Sequence, residues 1–177
     1  MRLFSQVIIS FFCILIPPLS RAETITILPH QPKPAAKTDV SASSQADQWE
    51  HQAVKLINED KMQEGLELMK KAVALNPTPM RQMNYGSILF GRGVADFKDG
   101  RQPQAINTLH QAEDELDQAI AGFDPQKDSV FLAQAYFLLG EMYLNAFTDE
   151  DKAKAFYQKA LTYDDHQGAK AALAKLK

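Results

Sequence analysis

Two hydrophobic rhythms divide this chain. Near the start, Val7 to Ile16 is a continuous apolar run broken only by Ser10 and ended by Pro17-Pro18. From Trp49 onward, apolar residues recur at three- and four-residue steps, the period of an amphipathic helix. Trp49, Ala53, Leu56 and Ile57 mark the first such helix, and Asn58-Glu59-Asp60 is a polar turn after it. A second helix carries Gly65, Leu68, Met69, Ala72, Val73 and Leu75. It stops at Asn76-Pro77, because the residue before proline is pushed out of the helical region. Thr78-Pro79 then reads as an N-cap followed by a first-turn proline. Met80–Lys98 is expected to be one long helix, unless Gly91 and Gly93 break it, with a turn at Asp99-Gly100-Arg101-Gln102-Pro103. Ala105, Ile106, Leu109, Ala112, Leu116, Ala119, Ile120 and Phe123 define the next amphipathic helix. At the end, Ala169, Ala172, Leu173 and Leu176 give residues 167–177 the stripe of a short capping helix.

The pattern also repeats. Met69-Lys70-Lys71-Ala72-Val73-Ala74-Leu75-Asn76-Pro77 parallels Tyr157-Gln158-Lys159-Ala160-Leu161-Thr162-Tyr163-Asp164-Asp165. Leu116 to Ala121, followed by Asp124-Pro125, is a third version, and Tyr85-Gly86-x-x-Leu89 parallels Leu139-Gly140-x-x-Tyr143. Recurrence on this scale marks stacked supersecondary units. Glycine inside a helix costs about 1 kcal/mol relative to alanine, so Gly86 and Gly140 imply close approach of a second helix.

These residues resemble the tetratricopeptide repeat family. The family pairs an aromatic and a Leu-Gly-x-x-Tyr group on one helix with Ala-x-x-x-aromatic-x-x-Ala and a proline on the next. In the first repeat the matching residues are Trp49, Ala53, Leu56, Gly65, Met69, Ala72 and Pro77. In the last they are Tyr136, Leu139, Gly140, Tyr143, Ala153, Tyr157 and Ala160, with Asp165 in place of proline and an inter-helix turn one residue longer. The middle repeat departs most, matching at Tyr85, Gly86, Leu89, Ala112, Leu116, Ala119 and Pro125. The resemblance spans roughly residues 46–165. Leu139-Gly140-Glu141-Met142-Tyr143, Lys152-Ala153, Tyr157 to Ala160 and Gly91 to Val94 also resemble Sel1-like repeats. Either resemblance implies an all-α fold: a right-handed α-solenoid of about three antiparallel helix pairs plus a C-terminal capping helix.

Composition adds an address. Arg2, the apolar run and Ser20-Arg21-Ala22 form the three parts of a secretory signal peptide, residues 1–22, cut after Ala22. The run is shorter than the ~20 residues that span a bilayer, so no stable membrane span is expected after cleavage. Phe11-Phe12 before Cys13 does not suit a lipoprotein signal. Cleavage removes the single cysteine, which excludes thiol chemistry and disulfides, and takes the net charge from −3 to −5. That acidity gives no nucleic-acid footprint. Residues 23–47 combine Pro29, Pro32 and Pro34 with Ser41-Ala42-Ser43-Ser44, the composition of a disordered linker. Within it Thr24–Leu28 alternates like a strand that adds to a partner's sheet. The helical repeat domain is then 48–177, and the expected location is the periplasm.

Catalytic patterns are weak beside this. Gly86 to Gly93 lacks the Lys-Ser/Thr ending of a phosphate loop. His30, His51, His110 and His166 have no metal-ligand spacing, so no metal and no cofactor are expected. The acidic runs Glu113-Asp114-Glu115-x-Asp117 and Asp149-Glu150-Asp151 read as a solvated face and a helix start, not as a catalytic pair. The chain is expected not to be an enzyme.

The resemblance instead implies a groove lined by the first helix of each pair, in which a protein partner's peptide or helix is held. One residue beyond the packing positions lie Glu50, Val54 and Ile57, then Met83, Ser87 and Phe90, then Phe137, Glu141 and Asn145. The competing reading is that Val54, Ile57, Phe90 and Phe137 enlarge the core. Glu50 and Glu141 do not suit the cationic clamp of the subgroup that grips a terminal carboxylate. The expected function is a scaffold in a cell-envelope assembly. The alternatives are an accessory subunit of a periplasmic enzyme and a hydrolase built on the acidic runs. Self-association through the solenoid ends fits any of these.

Overall fold

The computed structural model describes residues 40–176 of the 177, and every regular element among them is α-helical. The expected signal peptide, Cys13, the Thr24–Leu28 strand, His30 and the linker as far as residue 39 lie outside the described residues. In chain order the helices are α1 (Val40–Asn58), α2 (Met62–Leu75), α3 (Pro79–Lys98), α4 (Gln102–Gly122), α5 (Ser129–Asn145), α6 (Glu150–Tyr163) and α7 (Gln167–Lys175).

Local chemistry sets the ends. Asp60 takes a left-handed backbone (φ 60°), and Lys61 N–H bonds the Leu56 carbonyl while Asp60 N–H bonds that of Ile57. The same paired closure recurs at Gly100 (φ 77°), where Arg101 N–H reaches Asp96 and Gly100 N–H reaches Phe97. Thus α1–α2 and α3–α4 turn through residues 59–61 and 99–101 by one mechanism. The α5–α6 turn, residues 146–149, is one residue longer, as the third repeat's spacing implies. Thr78 accepts from Arg81 N–H with Pro79 at the first helical position, as expected. Gly91 and Gly93 do not interrupt α3.

The tightest packing is within three consecutive pairs: α1 with α2, α3 with α4, and α5 with α6. Their direction follows from register. A Cβ on Gly86 would stand 2.9 Å from Leu116, one on Gly93 would stand 2.7 Å from Leu109, and one on Gly122 would stand 2.7 Å from Pro79. As α3 advances, its partners on α4 recede, so the pair is antiparallel. Tyr136 against Tyr163 and Tyr143 against Phe156 give α5 and α6 the same sense. Successive pairs meet through α2 with α3, α4 with α5 and a direct contact of α3 with α5. The result is a helical-repeat architecture in which most contacts join neighbours along the chain.

The expected packing residues sort unevenly. Ala53, Met69, Ala72, Leu139, Ala153, Tyr157 and Ala160 are essentially inaccessible, as are Ala112, Leu116 and Ala119. Gly65, Gly86, Gly140 and Tyr143 are also buried. Trp49 and Leu56 are only half-buried, and Pro77 is exposed. The first helix starts at Val40, eight residues inside the stretch read as linker. Fully buried Ala46 and the side chains of Ser43 and Asp47, both bonded to residues beyond α2, hold that extension.

Candidate functional site

Two touching helices, α3 and α5, each carry a stripe of half-buried residues. Along α3 only Ala95 and Lys98 are exposed, and Asn84, Ser87, Ile88 and Gly91 form a half-buried stripe at helical steps. Along α5 no residue from Leu132 to Asn145 is exposed, and Gln134, Phe137, Leu138, Glu141 and Asn145 form the corresponding stripe. Because α3 and α5 touch, the stripes lie on adjacent helices. The stripes mix small, aromatic and amide side chains with one carboxylate, Glu141.

Where α1 meets α3, the controlling residue is Arg81, whose side chain is only 4% exposed. Its Nε donates to Glu50 at 2.9 Å, its Nη2 to Asp47 at 2.6 Å, and its Nη1 to the Asn76 carbonyl. Asn84 donates to the other Glu50 oxygen at 2.9 Å, and Asn76 donates to Ser43 Oγ at 3.2 Å. A buried guanidinium needs this full set of acceptors, since an unmatched charge there is costly. Glu50 is therefore a structural partner of α3 before it is anything else.

The other groove candidates divide. Val54 is open, at 45% exposure, and Ser87 is half-buried on the α3 stripe. Ile57 packs into the space that Gly65 leaves, and Phe90 lies partly buried against the core. Met83 is buried on α3.

Glu141 accepts the Tyr157 hydroxyl at 2.7 Å, and Asn145 donates to the Glu141 carbonyl and carboxylate at 2.9 and 3.2 Å. Phe137 lies between the Tyr157 ring, 5.9 Å away, and the His166 ring, 4.5 Å away. Gly168 sits so close that a Cβ there would be 2.9 Å from two Phe137 ring carbons. Phe137 thus lies under the start of α7. The short terminal helix covers it, and periodicity at Phe137 alone carries no sign of that cover.

Three further polar groups lie outside the expected groove, and two of them involve Glu113 and Glu115 of the acidic run expected to be a solvated face. Asp96 is buried on α3 and receives Arg92 Nε at 2.9 Å and Arg101 Nη2 at 2.6 Å. Burial pushes its carboxyl up, but the bonds from Arg101 and Arg92 outweigh that and hold it below the usual carboxylate range. The i, i+4 pair Arg92–Asp96 with Arg101 just past the turn is the signal that was available. On α4, Glu115 has an oxygen that is buried without a hydrogen-bond partner among the described residues. Burial first, then the neighbouring Asp114, raises its carboxyl above the usual range. The same burial, with Glu115 and Glu67 nearby, pushes the Tyr85 phenol up to about 12.

The third group joins α4 to α5, where Tyr143 donates to Glu113 Oε1 and His110 Nδ1 lies 3.5 Å from Glu113 Oε2. Burial and then Glu113 raise the Tyr143 phenol well above its ordinary value. The expected helix-start role of Asp149 is seen directly, as its carboxylate accepts from Lys152 N–H at 3.0 Å. Among the described residues no three of His, Cys, Asp and Glu gather where they could hold a metal ion. An open hollow of about 370 Å³ lies between α1 and α2, floored by Leu56 and Leu68, outside the α3 and α5 stripes. No helix among the described residues is long and apolar enough to cross a membrane.

Comparison of the chain with protein-family models, with curated proteins and with solved structures gave no match.

Proposed function

We propose that this chain is an exported, non-catalytic scaffold of the tetratricopeptide type, holding a peptide or helix of a protein partner within a cell-envelope assembly. In this reading the three helix pairs form a right-handed solenoid and the partner lies along the α3 and α5 stripes. One observation carries the proposal: consecutive antiparallel pairs stack so that adjacent α3 and α5 each keep a half-buried stripe, centred on Ser87 and Phe137. An extended groove of that kind is what stacked helix pairs offer a partner. The signal-like start supports export, and the Sel1-like resemblance is compatible with the same architecture.

The test is affinity capture after crosslinking in the native envelope fraction, with Ser87→Arg run beside the unsubstituted chain. Arginine at the centre of the α3 stripe blocks the groove, and Ser87 itself takes no part in the hydrogen bonds of Arg81, Glu50 and Glu141. Loss of one defined partner in the variant, with an unchanged helical spectrum, is the expected result. Equal capture by both proteins removes the groove from the account, and turnover of a substrate by the purified chain overturns the scaffold reading.

A further inference from the structure

The α7 helix has nine residues, and among them only Ala169 is buried outright. Helices this short are marginal in water unless their ends and faces are held. Ala172, Leu173 and Leu176 pack its far end against the core, and at its start the holding falls to one side chain. His166 Nδ1 accepts from the Ala169 N–H at 3.2 Å, capping the helix, while Nε2 lies 3.0 Å from Gln134 Oε1 on α5. An amide oxygen requires a proton on Nε2, and an accepted N–H requires a lone pair on Nδ1. Only the neutral Nε2–H imidazole satisfies both. The same ring lies against Phe137, and Gly168 is pressed onto it.

We propose that α7 is an acid-released latch: it covers Phe137 at the α5 end of the binding stripe while His166 is neutral, and lifts when His166 takes a proton. Protonation puts a hydrogen on Nδ1, so the cap is lost and two N–H groups face each other. The surroundings set the direction. Burial lowers the affinity of His166 for a proton, and Asp164 opposes this only in part. The docked state is therefore favoured above the ordinary imidazole pKa and weakens as pH falls through the depressed value of the docked form. Asp165 is paired with Lys170 on the latch itself. On α5, Gln134 and Phe137 contact the ring, and the helix's one carboxylate, Glu141, is bonded to Tyr157. On α6, Lys159 lies over the Tyr136 ring, and Tyr157 and Tyr163 present aromatic rings to α5. The latch regulates the binding face proposed above and so rests on that reading, but its opening is measured without any partner.

The experiment is amide hydrogen exchange of the full chain between about pH 8 and about pH 5, corrected for intrinsic rates. His166→Asn and His166→Ala accompany it. Asparagine caps a helix and does not titrate in this range. Protection of the α7 amides is expected to fall about fivefold to tenfold at low pH in the unsubstituted chain, the scale of one lost cap. It is expected to stay flat in His166→Asn and to be low at every pH in His166→Ala. Protection that is unchanged by acid in the unsubstituted chain overturns the proposal, as does an equal acid loss in His166→Asn.

Discussion

Among the described glycines, an added Cβ would meet its neighbour most closely at Gly140. A Cβ there would stand 2.5 Å from Tyr157 Cε1 and 2.6 Å from Cδ1. The ring has to retreat by about 1 Å to regain ordinary carbon–carbon spacing. It has little freedom to do so: Tyr157 is completely buried, Phe137 lies against it, and its hydroxyl is bonded to Glu141. Overpacking of a pinned ring costs about 3 kcal/mol, the upper part of the usual range. Alanine returns about 1 kcal/mol of helix propensity, leaving a net loss of about 2 kcal/mol. Gly91 is the internal control, since it also lies inside a helix but nothing stands within 4 Å of its Cβ direction. Gly91→Ala therefore keeps the propensity gain of about 1 kcal/mol. Urea unfolding followed by far-ultraviolet circular dichroism measures both. The expected order is Gly91→Ala above the unsubstituted chain and Gly140→Ala below it. A Gly140→Ala protein as stable as the original refutes the claim that glycine is there for close approach.

Further perturbations test the buried charges. Arg81→Ala leaves Glu50 partly buried without its cation, and a loss of roughly 2 kcal/mol is expected in the same assay. Asp96 has a folded-state pKa below its unfolded one, so its contribution is full above the ordinary carboxylate value and is lost as pH falls through the depressed value. The acid limb of a stability–pH curve is accordingly expected to be shallower in Asp96→Asn. Glu115 has the opposite sign: its raised pKa makes the ionised form unfavourable near neutrality. Glu115→Gln is expected to be more stable by roughly 1 kcal/mol at neutral pH, with the gap closing in acid.

How far these features could be read from the sequence follows from their range along the chain. The pairing of α3 with α4 and α5 with α6 was legible because Gly86 and Gly140 recur at matched places, opposite Leu116 and Tyr157. The start of α1 was not. Val40 to Asp47 has no apolar period, and its helix is held by Asp47 reaching Arg81 and Asn76 reaching Ser43, contacts more than 30 residues apart. The groove positions met the same difficulty. Ser87 and Val54 lie on accessible surface, but Glu141 is engaged by Tyr157 and Phe137 by the latch. Helical periodicity gives the face of a residue. It does not give the element that returns to cover it.

The central claim is that a partner lies on the α3–α5 stripe. Site-specific photocrosslinking in the native envelope tests it most directly, with the photoreactive residue at Ser87 on the stripe and, separately, at exposed Gln158 on α6. The account predicts one discrete adduct at Ser87 that is absent at Gln158. Equal labelling at both positions, or an adduct at Gln158 alone, contradicts it.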